Sequence, residues 1–170
     1  MNLIVYFCFM PKNLILSEEE KRNLKSLVLE SCLSIKRNQI NELTETLISL
    51  KSSVESNEKS SAGDKHETGR ENANQTLLIY GDQHKKAMEN LMVFMMLKPD
   101  KLVDTVQLGA IVVLNDFIVF IADNLNKIMV DQMPINILSP KGPFVQCMLG
   151  KPKGFEFHFN NKDFKIIEVF

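Results

Sequence analysis

The sequence predicts an α+β protein: an N-terminal antiparallel coiled-coil helical hairpin over residues 17–99, then a small antiparallel β domain with one short helix over residues 100–170. Three observations lead there. Apolar residues recur at alternating steps of three and four in two separate stretches, the signature of a helical seam. A polar run, with its tip near residues 58–68, separates those stretches. From Leu108 onward the period changes to short apolar runs and alternation, the pattern of strands.

Residues 1–16 form an apolar N-terminal extension. Met1 to Met10 lacks a basic n-region and a small-residue cleavage site, and it is about half the ~20 residues that a membrane-spanning helix requires. It reads either as a misplaced translation start, with Met10 the true one, or as an extra edge strand. No membrane association is expected. Ser17-Glu18-Glu19-Glu20 then supplies an N-cap with carboxylates in the first turn, where they meet the positive end of the helix dipole. The first seam runs through Ile40, Leu43, Leu47, Leu50 and Val54, with Leu29 and Leu33 in the same register and Lys36 interrupting it.

Serines, Asn57, Lys59 and Gly63 replace the apolar repeat between residues 51 and 64, so a turn is expected. The second seam passes through Leu77, Tyr80, His84, Ala87, Leu91 and Phe94 until Lys98-Pro99 ends it. Each seam needs a partner to bury it, and two joined by a short polar tip supply each other. The roughly 30 residues of each arm nearest the tip span about 45 Å. Beyond Leu108, Ala110–Leu114 and Phe117–Ile121 flank Asn115-Asp116 as a β-hairpin. Pro143 to Leu149 reads as a short helix stopped by Gly150. Phe155, Phe157 and Phe159 alternate with Glu156 and His158, and Asn160-Asn161 turn the chain into Phe164–Val169.

Composition narrows the function classes. Residues 17–99 carry 12 basic and 13 acidic side chains in a chain of formal net charge −1, so the basic excess of sequence-independent nucleic-acid binding is missing. Cys8, Cys32 and Cys147 are scattered and odd in number, which suggests neither a disulfide framework nor a zinc site and makes a reducing cytoplasm the simplest setting. Cys147 and His158 have the residue types of a thiol enzyme, but Cys147 lies in an apolar stretch with no visible orienting partner and reads as buried and structural. Arg22, Lys25, Lys36 and Arg37 read as a solvated helix face. Met88, Met92, Met95 and Met96 read as adaptable core packing. His84 reads as a packed or partly exposed coil residue, and His66 as wet in the turn.

The chemistry concentrates at the tip, Gly63-Asp64-Lys65-His66-Glu67. Asp64 and Glu67 are three apart near a helix start, which could present both carboxylates on one face. Carboxylates in exposed turns are usually solvated and idle, so their meaning depends on the surroundings. Those surroundings resemble the GreA/GreB transcript-cleavage factors of bacteria, in particular the divergent GreA-like proteins of Bacteroidota. The tip is similar to that family's Gly-Asp-Leu-Ser-Glu. Leu108-Gly109-Ala110-Ile111-Val112 is similar to its hydrophobic-Gly-Ser segment. Ile137-Leu138-Ser139-Pro140, Pro143 and Leu149-Gly150-Lys151 resemble its Ile-Ser-Pro-x-Ser-Pro-x-x-x-x-Leu-Leu-Gly-Lys stretch. In order, these motifs cover the chain from about Leu24 onward.

The resemblance implies an FKBP-like fold for the second domain and a monomeric accessory factor that is not itself an enzyme. It implies RNA polymerase as partner, entry of the hairpin through the secondary channel, and cleavage of the 3′ end of backtracked nascent RNA by the polymerase. Asp64 and Glu67 would serve as catalytic carboxylates, helping to hold Mg²⁺ of the polymerase active site; the factor would carry no cofactor of its own. Lys65 and Arg70 would meet RNA phosphates, and Ser139, Pro140, Pro143, Gly150 and Lys151 would belong to the docking motif. The family continues its tip directly with Asn-Ala-Glu-Tyr, whereas Thr68-Gly69-Arg70 here precede Glu71-Asn72-Ala73-Asn74. An alternative alignment places Thr68 and Glu71 at the acidic positions. A secondary-channel regulator that does not cleave RNA shares every architectural feature, and a peptidyl-prolyl isomerase, whose pocket would have to be built from Phe residues, is the reading from another class.

Overall fold

A computed structural model describes residues 16–58, 67–123, 125 and 127–170. The described residues form α1 (Glu18–Glu58), α2 (Glu67–Met96), β1 (Ile111–Leu114), β2 (Ile118–Ile121), β3 (Ile128–Val130), β4 (Met133–Leu138), α3 (Pro143–Gln146), β5 (Glu156–Phe159) and β6 (Lys162–Val169). The architecture is α+β, with two long helices followed by a six-stranded sheet and a short helix. The apolar extension, apart from Leu16, lies outside the described residues.

Helix α1 starts where its capping box dictates. The Ser17 backbone N–H donates to Glu20 Oε2 at 2.8 Å, and the Glu20 N–H donates to Ser17 Oγ at 3.3 Å, so two donors that a helix start leaves open are satisfied reciprocally. The Ser17 backbone N–H, together with the Ser17 hydroxyl that also donates to Glu20 Oε2 at 2.9 Å, holds the Glu20 carboxyl below its usual range.

The chain divides into two compact units. The first holds the described residues up to Leu33 together with Val93–Phe170. Its sheet has the order β3-β4-β2-β1-β6-β5. Strands β1 and β2 are buried along their whole length, because both faces of the sheet are covered. On one face Ile111, Val113, Ile118, Phe120, Ile135 and Ile137 pack with Leu24, Val28, Leu29 and Cys32 of α1 and Phe94 of α2. On the other, Val112, Leu114, Val119, Ile121 and Ile166 pack with Val145, Met148 and Phe164. Alternate residues of one strand therefore feed two cores, which is the period-two rule of a strand applied twice.

One pairing departs from an all-antiparallel sheet: β2 and β4 run parallel, with Ile118 opposite Ile135 and Ile121 opposite Leu138. The cause is topological. After β2 the chain goes to the sheet edge as β3, then returns through a two-residue turn at Asp131 (φ 47°) and Gln132 (φ 65°) to lay β4 between β3 and β2. The return leg necessarily points the way β2 does. The β5–β6 hairpin follows expectation, with Asn160 and Asn161 at φ 47° and 61°, the left-handed values that a two-residue hairpin turn requires and asparagine tolerates.

The second unit, Ser34–Met92, contains the paired portions of α1 and α2. About 25 residues of each helix fall in it, or roughly 38 Å of helix. Its seam contains buried Ile40 and Ala87, whereas Leu43, Leu47 and Leu50 remain half-buried. Two helices alone cover only part of each other's apolar stripe. Thr44 Oγ1 lies 3.1 Å from His84 Nε2 across the pair, so His84 is a packed, hydrogen-bonded seam residue.

Three expectations about side chains are overturned. Lys25 and Lys36 are buried, not solvated, at 3% and 4% exposure. Lys25 lies beside the first core and donates its amine to the Lys101 carbonyl at 2.6 Å, while Lys36 occupies a seam position. Met92, Met95 and Met96 are more than half exposed, because they lie off the stripe that carries Ala87, Leu91 and Phe94. Cys147 is partly exposed, with its thiol donating to the Pro143 carbonyl at 3.3 Å.

Candidate functional site

The predicted site has two parts, an apex between the long helices and a loop around α3. Helix α1 is helical through Glu58 and α2 begins at Glu67. Asp64 and Lys65, like Gly63 and His66, fall outside the described residues. Glu67 and Arg70 belong to the first turn of α2, where the unpaired N–H groups and the helix dipole favour negative charge. Glu71 follows Glu67 by four residues, one helical turn along the same face, and is exposed. The two ways of aligning the tip therefore differ by one turn at the start of a single helix.

The second part is built from the backbone. The Ser139 carbonyl accepts from the Gly142 N–H at 2.9 Å, and Ser139 Oγ accepts from the Lys141 N–H at 3.2 Å, closing a tight turn. Pro143 occupies the first turn of α3, where its fixed φ suits a helix and its missing N–H costs nothing. Gln146 returns its side-chain amide to the Pro140 carbonyl at 2.5 Å. The helix ends at Gln146, short of the Leu149 end that the sequence suggests, and Cys147–Gly150 continue as turn.

Gly150 is needed for its conformation: its φ of 75° is left-handed, and in that geometry its N–H reaches the Val106 carbonyl at 2.7 Å. Val106 in turn donates to the Lys151 carbonyl at 2.9 Å. Lys151 holds its amine 4.9 Å from the centre of the Phe155 ring, a cation–π contact. Ser139, Pro140 and Pro143 thus belong to a self-bonded turn at the start of α3, and Gly150 and Lys151 are anchored to Val106. Nearby Gly109, at φ 82°, fits where an added Cβ would meet Leu97 Cδ2 at 3.2 Å, which gives the Leu108-Gly109 motif a structural reason.

Sequence reasoning missed a feature of this loop. Phe144, next to Pro143, is the hub of an aromatic cluster, with ring centroids of Phe117, Phe157, Phe159 and Phe164 between 5.1 and 5.8 Å away or from one another. The alternating Phe residues of β5 were its visible signal. These are the phenylalanines that an isomerase pocket would use, and they pack largely edge-to-face on one another. His158 pairs with Asp163 at 2.8 Å, and the Cys147 thiol with its own helix, so each of the two thiol-enzyme candidates has a different partner.

Charge near the helix base is organised around Glu168, which receives Lys21 at 3.0 Å and Lys153 at 2.6 Å. Burial alone would raise its pKa, but the two lysines outweigh it and hold the carboxyl below the usual range. Among the described residues, no three His, Cys, Asp or Glu side chains converge as a metal site. No described helix is long and apolar enough to cross a membrane.

No family model matches the chain, and none of the curated proteins matches it. Among solved structures the chain is similar to the transcription factor Gfh1, at 18% identity over 83% of this chain and 90% of that one, with a TM-score of 0.31.

Proposed function

We propose that this protein is a GreA-like elongation factor that binds RNA polymerase, inserts its paired helices through the secondary channel and stimulates cleavage of backtracked RNA. One observation supports the reading: α1 ends at Glu58 and α2 begins at Glu67, and the sequence that joins them, with Gly63-Asp64-Lys65-His66-Glu67, holds two carboxylates three apart. Mg²⁺ prefers oxygen ligands, keeps several waters and needs only one or two protein carboxylates beside phosphate oxygens; bound there, it would polarise the phosphate and activate water. Asp64 and Glu67 have the right donor chemistry. Their role is to lend oxygen ligands to a centre that the polymerase owns, while Lys65 and Arg70 contact RNA phosphates. The loop carrying Ser139, Pro140, Pro143, Gly150 and Lys151 is the docking element, held for that task by hydrogen bonds within its first turn and from Gly150 and Lys151 to Val106.

The experiment uses backtracked elongation complexes of the cognate polymerase. Wild-type protein is expected to shorten the RNA from its 3′ end, and Asp64→Asn with Glu67→Gln is expected to abolish this while leaving polymerase binding intact. A second reading, a secondary-channel regulator without cleavage, is favoured by the three residues Thr68-Gly69-Arg70 that set Glu71-Asn72-Ala73 one turn into α2. Wild-type binding without cleavage would establish that reading. Absence of polymerase binding would sink both.

A further inference from the structure

Strand β5 is the last in the sheet order, so among the described residues its outer edge meets no neighbouring strand. Antiparallel pairs alternate between residues that exchange backbone hydrogen bonds and residues that do not. The Ile166 N–H donates to the Phe155 carbonyl at 2.9 Å, which makes Phe155, Phe157 and Phe159 the residues bonded to β6. Glu156 and His158, opposite Lys165 and Asp163, therefore turn their backbone groups to the free edge. Each brings one donor and one acceptor.

Exposed edges are commonly guarded by charge. The charge on β5 is of a kind that fits a second β5. Glu156 and His158 are exposed and lie two residues apart on one face, so a two-fold axis at Phe157 sets Glu156 of one copy opposite His158 of the other. Sliding the pair by two residues either way would put Glu156 against Glu156 or His158 against His158, and like charges directly opposite are unfavourable. Charge thus selects one register. Glu156 already holds Lys165 at 2.7 Å and His158 holds Asp163 at 2.8 Å, so the row across two joined hairpins reads Lys165, Glu156, His158, Asp163. Neighbours in that row alternate in sign when the imidazole carries its proton.

The aromatic face matches in the same register. Phe155, Phe157 and Phe159 are only half-buried against the second core, and the Phe155 and Phe157 rings stack at 6.4 Å with 15° between their planes. Phe157 then faces Phe157 of the other copy, and Phe155 faces Phe159. Because the Phe157 ring already lies 5.5 Å from that of Phe164, the pairing joins the aromatic clusters of both protomers into one. We infer that β5 is a self-association edge, at which two copies of this chain pair antiparallel through Glu156–Phe159 about an axis at Phe157. Edges this short bury less surface than the about 1,200 Å² of a standard interface, so the dimer is transient and populated at high micromolar concentration. It departs from the monomer that the family resemblance implies, and it stands whether or not the protein acts on a polymerase.

Sedimentation equilibrium of the full-length protein in reducing buffer, from low micromolar to near-millimolar concentration, tests the assignment. The weight-average mass is expected to rise from 19.4 kDa toward twice that value. His158→Pro removes a donor that faces the free edge and spares the bonds to β6, a placement that edge strands tolerate, and it is expected to weaken association tenfold or more. Glu156→Lys, which sets like charges across the pairing, is expected to do the same, and far-UV circular dichroism checks that both variants fold. Met129→Lys, at an exposed position of β3 on the opposite edge of the sheet, is expected to associate as the wild type does. A wild-type protein that stays monomeric near millimolar concentration overturns the inference. So does association left unchanged in either folded β5 variant, or association that Met129→Lys abolishes.

Discussion

At the scale of single residues, Lys25 shows what a charged side chain in a helix can conceal. Its amine donates to the Lys101 carbonyl, and burial together with the Lys101 charge lowers its pKa from 10.5 to about 8. In the unfolded chain the same amine keeps its proton to about pH 10.4. Between those values the unfolded state binds more protons, so stability rises with pH through this window; below about pH 8 the cost of a buried charge is fully present. The gain is on the order of 3 kcal/mol at most. Urea denaturation at neutral pH and near pH 10 should show a higher midpoint at the alkaline value, superimposed on the titration of surface groups. Lys25→Met should remove that part of the rise without lowering stability at neutral pH. A Lys25→Met protein with the wild-type pH dependence would show that Lys25 is not its source. None of this was legible in the sequence, where Lys25 has the same neighbours as any solvated lysine.

At the scale of elements, legibility followed local chemistry. The start of α1 could be read because Ser17 and Glu20 are a complete capping box by themselves. Ser17→Ala should cost about 1 kcal/mol of stability, read as a lower thermal midpoint with unchanged helical content in the folded state. The β5–β6 hairpin could be read because alternating phenylalanines flank Asn-Asn. Strands β3 and β4 could not: β3 has three residues, its turn is Asp131-Gln132, and β4 carries Pro134, which argues against a strand inside a sheet. Pro134 is tolerated because the parallel pairing with β2 begins only at Ile135. That pairing depends on where the chain returns, which no local pattern encodes. The short helix at Pro143 could be read from its proline, whereas the aromatic hub at Phe144 could not, since a lone phenylalanine beside a proline carries no signal of its neighbours.

At the scale of the whole molecule, the two units differ in how completely they bury their apolar residues. Val28, Cys32, Phe94, Ile111, Ile135 and Ile166 of the first are fully buried, while Leu43, Leu47 and Leu50 of the second are only half covered. Local opening is easiest where few apolar contacts must break. Native-state hydrogen exchange should therefore find the strongest protection in β1, β2, β4 and β6 and weaker protection across the Ser34–Met92 portions of α1 and α2. Equal protection in both units would mean that the paired helices are stabilised by something beyond their own seam.

The ion pair between Lys21 and Glu168 joins residues 147 apart in sequence, and the sheet core likewise joins α1 to strands made much later. Contacts across such separations form slowly, because a long loop must close before any of them is rewarded. Thr44 and His84 are only 40 apart, and the helices around them need just a short connection to meet. As the chain leaves the ribosome, the paired helices can zip together while Leu24, Val28, Leu29 and Cys32 still wait for the sheet that will cover them. The part of the molecule that assembles first is then the part that opens most readily once folding is complete.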